Sequence, residues 1–336
     1  MGSSQSPCQG RGSGDPRVCL LAPSAFMASA ASTLALHDLI LVRCGPCPDS
    51  AVVSVGSVWS TTHNLQHPTD SSASKQSAWD APSVAADKAE VFTDAIDDHH
   101  RARLLAVTAP HSGDWLHALP ISSCGLRLDD ETIRVSVGLR LGLNLCEVHR
   151  CPCGTQVDVR GTHGLACKLS SGRMARHHHI NDMIWRALSR AGIPSTKEPT
   201  GLTRADGKRP DGLTLIPWQA GKCLTWDVTV ADTLAASHLP TTSRLAGGAA
   251  ESAGSKKDAK YQELARTFIF TPIAFETLGP ISSKALSFLL ELGKRLAAAT
   301  GDPREGTFLF QRLSIAIQRF NCVCFRGSFV PFVDEE

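Results

Sequence analysis

Two aspartates on neighbouring apolar segments are the residues of this chain best suited to chemistry. Asp211 precedes the run 212–216, and Asp227 lies within the run 223–230. Both runs are rich in β-branched and aliphatic residues, with a turn at Gly221-Lys222, so they predict neighbouring strands of a hairpin. The two carboxylates can then face each other. Because Mg²⁺ takes oxygen ligands, the pair predicts a site for Mg²⁺ or Mn²⁺.

Three residues outside the hairpin are candidates to complete this site. Glu198 precedes the Asp211 strand and can supply a third carboxylate, with a surface salt bridge as the alternative. Lys257 and Tyr261 stand four residues apart in a predicted helix over 245–266 and so share a face. A lysine there can orient the attacking water, and a tyrosine can donate to a phosphate. An ordinary charged helix is the alternative for this pair.

An upstream cluster has the residue types of a zinc site. The spacing C-x-C-x9-H-x3-C comprises Cys151, Cys153, His163 and Cys167. Three thiolates and one imidazole within seventeen residues can form a tetrahedral structural zinc site. A short, loop-like segment needs such a bound metal to keep it folded. Cys146 or His149 can replace one ligand, and unliganded cysteines beside a satisfied histidine are the alternative.

The segment between these two sites is basic. Residues 168–222 contain ten lysines and arginines against four acidic residues, whereas the whole chain carries a formal charge of only +2. This local excess suits a DNA backbone, with RNA as a second candidate partner. The triplet His177-His178-His179 lies in a predicted helix over 176–191. One of these histidines is a candidate to approach DNA or the metal, and a solvent-exposed first turn is the alternative.

The composition indicates in which cellular compartment we expect the protein. The chain is 42% hydrophobic, and no run reaches the ~20 apolar residues of a membrane span. Pro23 and several serines break the apolar run near the start, so we expect no signal peptide. The 12 cysteines are scattered and do not form a disulfide framework. We therefore expect reduced thiols, no membrane partner and a nuclear or cytoplasmic location, with the oligomeric state left open.

The pattern along the chain predicts five segments. They are a poorly structured leader over 1–82, a helical region over 83–145, a zinc-knuckle module over 146–170, an α/β domain over 171–325 and a tail over 326–336. The acidic pairs Asp97-Asp98 and Asp129-Asp130 lack the flanking apolar strands of polymerase aspartates. We expect them at helix faces or caps.

The element order of the α/β domain resembles a known family. A helix is followed by three strands, a helix with Lys257 and another strand, and Arg209-Pro210-Asp211 opens the second strand. This order resembles the PD-(D/E)XK restriction-endonuclease-like fold, α-β-β-β-α-β. With the CCHC knuckle, an Arg-His pair before the helix and Lys257-x3-Tyr261, the pattern is similar to the endonuclease end of site-specific non-LTR retrotransposon proteins, downstream of their reverse transcriptase.

The resemblance implies a metal-dependent DNA endonuclease that hydrolyses phosphodiesters and so nicks DNA. By it, Asp211 and Asp227 are magnesium ligands, and Lys257 is the catalytic lysine. Tyr261 is its companion, and the knuckle residues bind zinc. Thr229 stands where many nucleases of this fold have lysine, so the lysine has to come from the following helix.

Two other functions remain open. No reverse transcriptase is visible in the chain, which leaves room for a catalytically inactive, zinc-containing nucleic-acid-binding relic of such a protein. An α/β enzyme for a small phosphorylated substrate can use the same aspartate pair. No glycine-rich phosphate loop supports that last function.

Overall fold

A computed structural model describes residues 16–40, 50–203 and 207–329 of the protein. Helices and two sheets make up the described chain, which confirms the α/β class. The chain divides into two compact units, the first ending at Asp94 and the second beginning at Ala95. Among the described residues, no helix is both long enough and apolar enough to cross a membrane.

Among its described residues, the first unit contains three α-helices, α1 Pro16–Ile40, α2 Ser50–His63 and α3 Gln76–Thr93. Its core includes Met27, Trp59 and Trp79, and the two indoles pack edge to face with centroids 5.3 Å apart. The prediction of a poorly structured leader over 1–82 is therefore wrong for residues 16–40 and 50–82. The tryptophans supply an apolar core. The Ser and Thr hydroxyls can form hydrogen bonds with backbone carbonyls of their own helix, as Thr62 does by donating to the Val58 carbonyl at 2.8 Å. Residues 1–15 and 41–49 of that segment lie outside the described residues.

The second unit begins with helices and passes through a small hairpin into the main sheet. Its elements are α4 Asp98–Val107, α5 Asp130–Leu141, β1 His149–Arg150, β2 Gln156–Val157, α6 His163–Ala166, α7 Ser171–Arg190, β3 Ser195–Lys197, β4 Gly212–Thr214, β5 Leu224–Ala231, α8 Leu239–Thr242, α9 Gly248–Lys260, β6 Ile269–Glu276, α10 Ser283–Thr300 and α11 Glu305–Arg326.

Helix caps explain the two acidic pairs. The Asp97 carboxylate accepts from the His100 N–H at 2.6 Å, and the Asp129 carboxylate accepts from the Thr132 N–H at 2.8 Å. These bonds satisfy donors at the start of α4 and α5, as expected for acids in this position. The predicted helical region over 83–145 is split by the unit boundary, because its first helix, α3, belongs entirely to the first unit.

The main sheet has four strands in the order β3-β4-β5-β6. β4 is antiparallel to both β3 and β5, whereas β5 and β6 are parallel. The β4–β5 pair is the predicted hairpin, with Gly212 opposite Trp226. Parallel strands need a crossover connection, and the segment with α9 supplies it between β5 and β6. From α7 onward the described elements follow the order α7, β3, β4, β5, α9, β6, with the four-residue α8 and two short 3-10 turns interposed.

The two faces of this sheet differ in chemistry. On β5, Leu224, Trp226 and Val228 belong to the apolar core that α7, α10 and α11 share. Strand alternation puts Asp227 on the opposite face. α9 contacts both β5 and β6 and brings Lys257 to Asp227. The sheet thus has one apolar face, and its other face carries the acid and the helix that supplies the lysine.

Candidate metal centres

Strand pairing brings Asp211 and Asp227 together. The Asp211 N–H donates to the Trp226 carbonyl at 2.9 Å, and Asp211 Oδ2 accepts from the Val228 N–H at 2.6 Å. The side chain of Asp211 therefore lies against β5 beside Asp227, which is only 3% exposed. The residue after Asp211 has to be glycine, because a Cβ at Gly212 would lie 2.0 Å from the Trp226 ring.

Two lysines of α9 flank the carboxylate of Asp227. Lys257 Nζ lies 2.5 Å from Oδ1, and Lys260 Nζ lies 3.8 Å from Oδ2. The two lysines are three residues apart and so project from the same side of the helix. Lys256 also belongs to α9, but its side chain is exposed to solvent. The sequence pattern identifies Lys257 as a candidate, and the structure adds Lys260.

Tyr261 connects α9 to the strand that carries Asp211. Its side chain is 1% exposed, and its hydroxyl donates to the Arg209 carbonyl at 2.7 Å. The same hydroxyl accepts from Lys260 Nζ at 2.7 Å. Because Arg209 lies two residues before Asp211, this phenol holds the helix at a defined distance from the hairpin.

α7 presents two residues to the same place. His177 Nε2 lies 3.3 Å from Asp211 Oδ1. One turn later, Asn181 Oδ1 accepts from the Trp226 indole N–H at 2.8 Å, and its amide donates to the Asp211 carbonyl at 3.4 Å. Of the three consecutive histidines, His177 is therefore the one that reaches the aspartate pair.

The pKa shifts at this site result from burial and from the proximity of two carboxylates. Burial raises the pKa of Asp227, and the neighbouring Asp211 raises it further, whereas Lys257 and Tyr261 oppose both effects. The hydrogen bond to Asp211 raises the pKa of His177 above its usual 6.5, against the effect of burial. Two acids in one partly buried place are thus offset by Lys257 from α9, and His177 from α7 contacts the second acid.

Glu198 does not join this group. Its carboxylate binds the Arg209 guanidinium, and its side chain is 50% exposed. Within the described residues, no hydrogen bond or ion pair links that carboxylate to Asp211 or Asp227. The physical reason is local: Glu198 has a φ of 48°, so β3 ends at Lys197 and the side chain leaves the strand alternation. The surface salt bridge, the simpler of the two interpretations, matches this geometry.

The upstream cluster has the geometry that zinc requires. The four ligand atoms of Cys151, Cys153, His163 and Cys167 lie within 4.8 Å of one another. In a tetrahedral site with Zn–S bonds of about 2.3 Å, sulfur ligands are about 3.8 Å apart. Cys151 Sγ and Cys167 Sγ are 3.7 Å apart, and Cys153 Sγ lies 3.2 Å from His163 Nε2. The predicted four residues could therefore hold structural zinc.

The two alternative ligands are engaged elsewhere. Cys146 Sγ contacts the Asp158 carbonyl at 3.4 Å, and His149 Nε2 lies 3.0 Å from the Ser328 hydroxyl. Among the described residues, the CCHC group is the one cluster of three or more Cys, His, Asp or Glu side chains placed to share a metal. The choice of ligands made from spacing is confirmed as a spatial cluster.

The thiols of the cluster differ in their titration. Burial raises the pKa of Cys151 to about 11. Hydrogen bonds from the Thr155 side chain and then from its backbone lower the pKa of Cys153 to about 6. Zinc binds thiolates, so the acidic Cys153 is already suited to it, whereas the buried Cys151 needs a cation to hold it ionised.

The knuckle packs against the end of α11. Leu165, inside α6 and between two of the ligands, is 1% exposed and shares an apolar cluster with Cys324 and Phe325. Gly164 approaches α11 so closely that a Cβ there would lie 2.6 Å from the Cys324 carbonyl oxygen. The module that carries the CCHC cluster is therefore joined to the core of the second unit through its own buried side chain.

The basic segment is less cationic at its surface than its composition indicates. Arg176 is 1% exposed and donates to Asn321 Oδ1 at 2.8 Å. Arg186 and Lys197 both bind Asp182. Other guanidinium groups bind carboxylates as well, namely Arg190 with Glu305 and Arg209 with Glu198. Arg204 lies outside the described residues. A count of charges along the sequence does not reveal such internal pairing.

No family model matches the chain, and no curated protein matches it at a significant level.

Proposed function

We propose that the protein is a metal-dependent DNA endonuclease that hydrolyses phosphodiester bonds. The observation that carries the proposal is the meeting of Asp211 and Asp227 on paired strands, with Lys257 2.5 Å from one carboxylate. Two carboxylates on rigid strands are hard oxygen donors, which is the donor set that Mg²⁺ or Mn²⁺ takes, so the residues fit such an ion. When bound there, the ion supplies Lewis-acid stabilisation of the charge that develops at the phosphate.

The side chains around the pair have the roles that hydrolysis needs. Asp211 is held in place by the Val228 N–H and Asp227 by burial, so neither carboxylate has to reorganise. Lys257 is placed to orient the attacking water or to bind the phosphate once its carboxylate partner engages a metal ion. Tyr261 keeps α9 in register with the hairpin through the Arg209 carbonyl.

The order of elements supports the same proposal. The run α7, β3, β4, β5, α9, β6 gives the order α-β-β-β-α-β that the resemblance to the restriction-endonuclease-like fold predicts, with Asp211 immediately before the second strand and Asp227 on the third. The lysine comes from α9, as it must because Thr229 stands in the strand position where lysine is common in that fold. The sequence resemblance to the endonuclease end of non-LTR retrotransposon proteins points in the same direction.

DNA is the partner that we propose for this site. Lys168, Arg173 and Lys222 are exposed, and together with the lysines of α9 they offer positive charge to a phosphate backbone. The zinc module, packed on α11, would stabilise the unit that presents these groups.

Cleavage of supercoiled plasmid by the full chain tests the proposal. We expect nicking that requires Mg²⁺ or Mn²⁺ and that falls by at least roughly 100-fold in Asp211→Asn and in Asp227→Asn, since loss of one preorganised electrostatic group costs 10²–10³ in rate. Asp258→Asn is the matched control. Asp258 lies on α9, the helix that carries Lys257, but its carboxylate pairs with Lys284 at a distance of 2.7 Å and not with the residues of the site. Thermal melting of every variant checks its folding.

Full activity in both aspartate variants would refute the site. Salt-sensitive DNA binding without cleavage in any divalent ion would instead favour the inactive nucleic-acid-binding protein. The pairing of Asp227 with Lys257 is the specific observation behind that second function, because a lysine that never leaves the carboxylate keeps a metal out. Mutation of Lys257 separates the two cases: it abolishes cleavage in an active enzyme and leaves DNA binding in the relic.

A further inference from the structure

Lys260 is a cation of the site with no role so far in the proposed reaction. It is the last residue of α9, and its Nζ lies 3.8 Å from Asp227 Oδ2 and 2.7 Å from the Tyr261 hydroxyl. Its ammonium also lies 4.3 Å from the centroid of the Tyr261 ring, a distance that suits a cation–π contact. The side chain is 25% exposed, so the ammonium is reachable from solvent.

The charges at the site indicate what this second lysine can do. His177 lies at Asp211, whereas Lys257 and Lys260 both lie at Asp227. A divalent cation on the carboxylates would weaken the attraction between Asp227 and the two ammonium groups. A phosphodiester and the hydroxide that attacks it each bring one negative charge, which an ammonium group beside the reacting phosphate would stabilise.

The geometry allows Lys260 to change partners without moving its backbone. The ammonium is compact, carries three donors and sits on a flexible stem. Tyr261 anchors one of those donors at 2.7 Å, and the looser contact to Asp227 at 3.8 Å is the one that a phosphate oxygen can replace. Lys257, in contrast, holds its carboxylate oxygen at 2.5 Å.

We propose that Lys260 is a second phosphate-binding residue, which binds the DNA phosphodiester beside Asp227 while Tyr261 holds it in place. This inference rests on the proposed nuclease function and assigns part of the substrate contact to a named side chain. Its phosphate contact is distinct from any role of Lys257 in orienting water.

The salt dependence of DNA binding tests this assignment independently of cleavage. Binding of a labelled DNA duplex to the full chain is measured by anisotropy over a salt series, with Ca²⁺ in place of Mg²⁺. Because log K falls with log salt by about 0.9 for each phosphate contact, Lys260→Met should reduce the slope by about 0.9. Lys260→Arg keeps the charge and should restore the wild-type slope. Lys256→Met, an exposed lysine of the same helix, is the matched control and should change the slope less.

Each outcome decides the assignment. The assignment of Lys260 is overturned if Lys260→Met has the wild-type slope, or if its slope changes no more than that of Lys256→Met. The proposed nuclease function is then still judged by the cleavage assay alone. A wild-type chain that neither binds nor cleaves DNA overturns the proposed function and this inference together. Lys260→Gln, which can still hydrogen-bond Tyr261, serves if Lys260→Met fails to fold by thermal melting.

Discussion

Zinc bound at the CCHC cluster should stabilise the second unit, because the knuckle reaches the core through one buried leucine. Leu165 lies in α6 between His163 and Cys167 and is 1% exposed against Cys324 and Phe325. Without a metal, a module with two two-residue strands and one four-residue helix has little to hold it folded. Loss of the metal should therefore release Leu165 from α11.

The size of the effect follows from that one side chain. Truncation of a buried leucine costs about 2–5 kcal/mol, so Leu165→Ala should cost about 3 kcal/mol with zinc in place. For a unit of this size, 1 kcal/mol corresponds to roughly 2–4 °C in Tm, which makes the expected fall roughly 6–12 °C. Chelation of zinc in the wild type should lower Tm by at least this much, since Val157 and the buried ligands loosen as well.

The assay is thermal unfolding of four samples, with metal content measured in each. They are wild type and Leu165→Ala, each with and without a zinc chelator. If the metal acts through Leu165, the mutation should add little once zinc is gone, so the coupling between the two perturbations should be about 2–3 kcal/mol. Leu169→Ala is the control, because Leu169 is 70% exposed and should change stability by less than about 0.5 kcal/mol.

Two results would refute this reasoning. One is an unchanged Tm in protein that metal analysis shows to be free of zinc. The other is full additivity of the mutation and chelation, which would mean that Leu165 stays packed on α11 when the ligands are empty. Either would show that the packing of the knuckle, and not the metal, holds the module in place.

Other predictions concern the aspartate pair. Gly212→Ala should lower the free energy of unfolding by at least about 1–3 kcal/mol in urea titration, because its Cβ would meet a buried indole at 2.0 Å; Gly201→Ala, with open space around it, should be nearly neutral. The raised pKa of His177 contributes stability that is fully present below about pH 6.5 and is lost as the pH rises through its folded value. Tm should therefore fall between pH 6 and pH 8 more steeply in the wild type than in His177→Gln, whereas His178→Gln, which is exposed, should keep the wild-type profile. An equal pH dependence in all three proteins would argue against the ion pair with Asp211.

Local sequence patterns were sufficient for the features whose parts are close in the chain. The four candidate zinc ligands lie within residues 151–167, so spacing alone predicted which four side chains form a cluster. The hairpin that pairs Asp211 with Asp227 was predictable because alternation of apolar residues and a glycine turn are local signals. The exception is the first unit, where the excess of Ser and Thr masked helices that two tryptophans stabilise.

Backbone conformation decided one candidate against its local pattern. Glu198 lies next to a strand in the sequence, and alternation alone would direct it towards the acids. Its positive φ turns the side chain away to Arg209 instead. No residue type at this position signals such a conformation, because left-handed backbone is uncommon for glutamate.

By itself, the sequence determined which residue types are available for a metal site and which short segments carry them. Tertiary structure alone decided which long-range partners meet: His177 reaches Asp211 from α7, and Lys260 joins Lys257 at Asp227 because the crossover through α9 lies over the acidic face of the sheet. The physical reason is that a helix periodicity shows which residues share a face but not which strand that face meets. That meeting is set by the packing of α7, α9 and the sheet around one core, and so by contacts distributed over the whole unit.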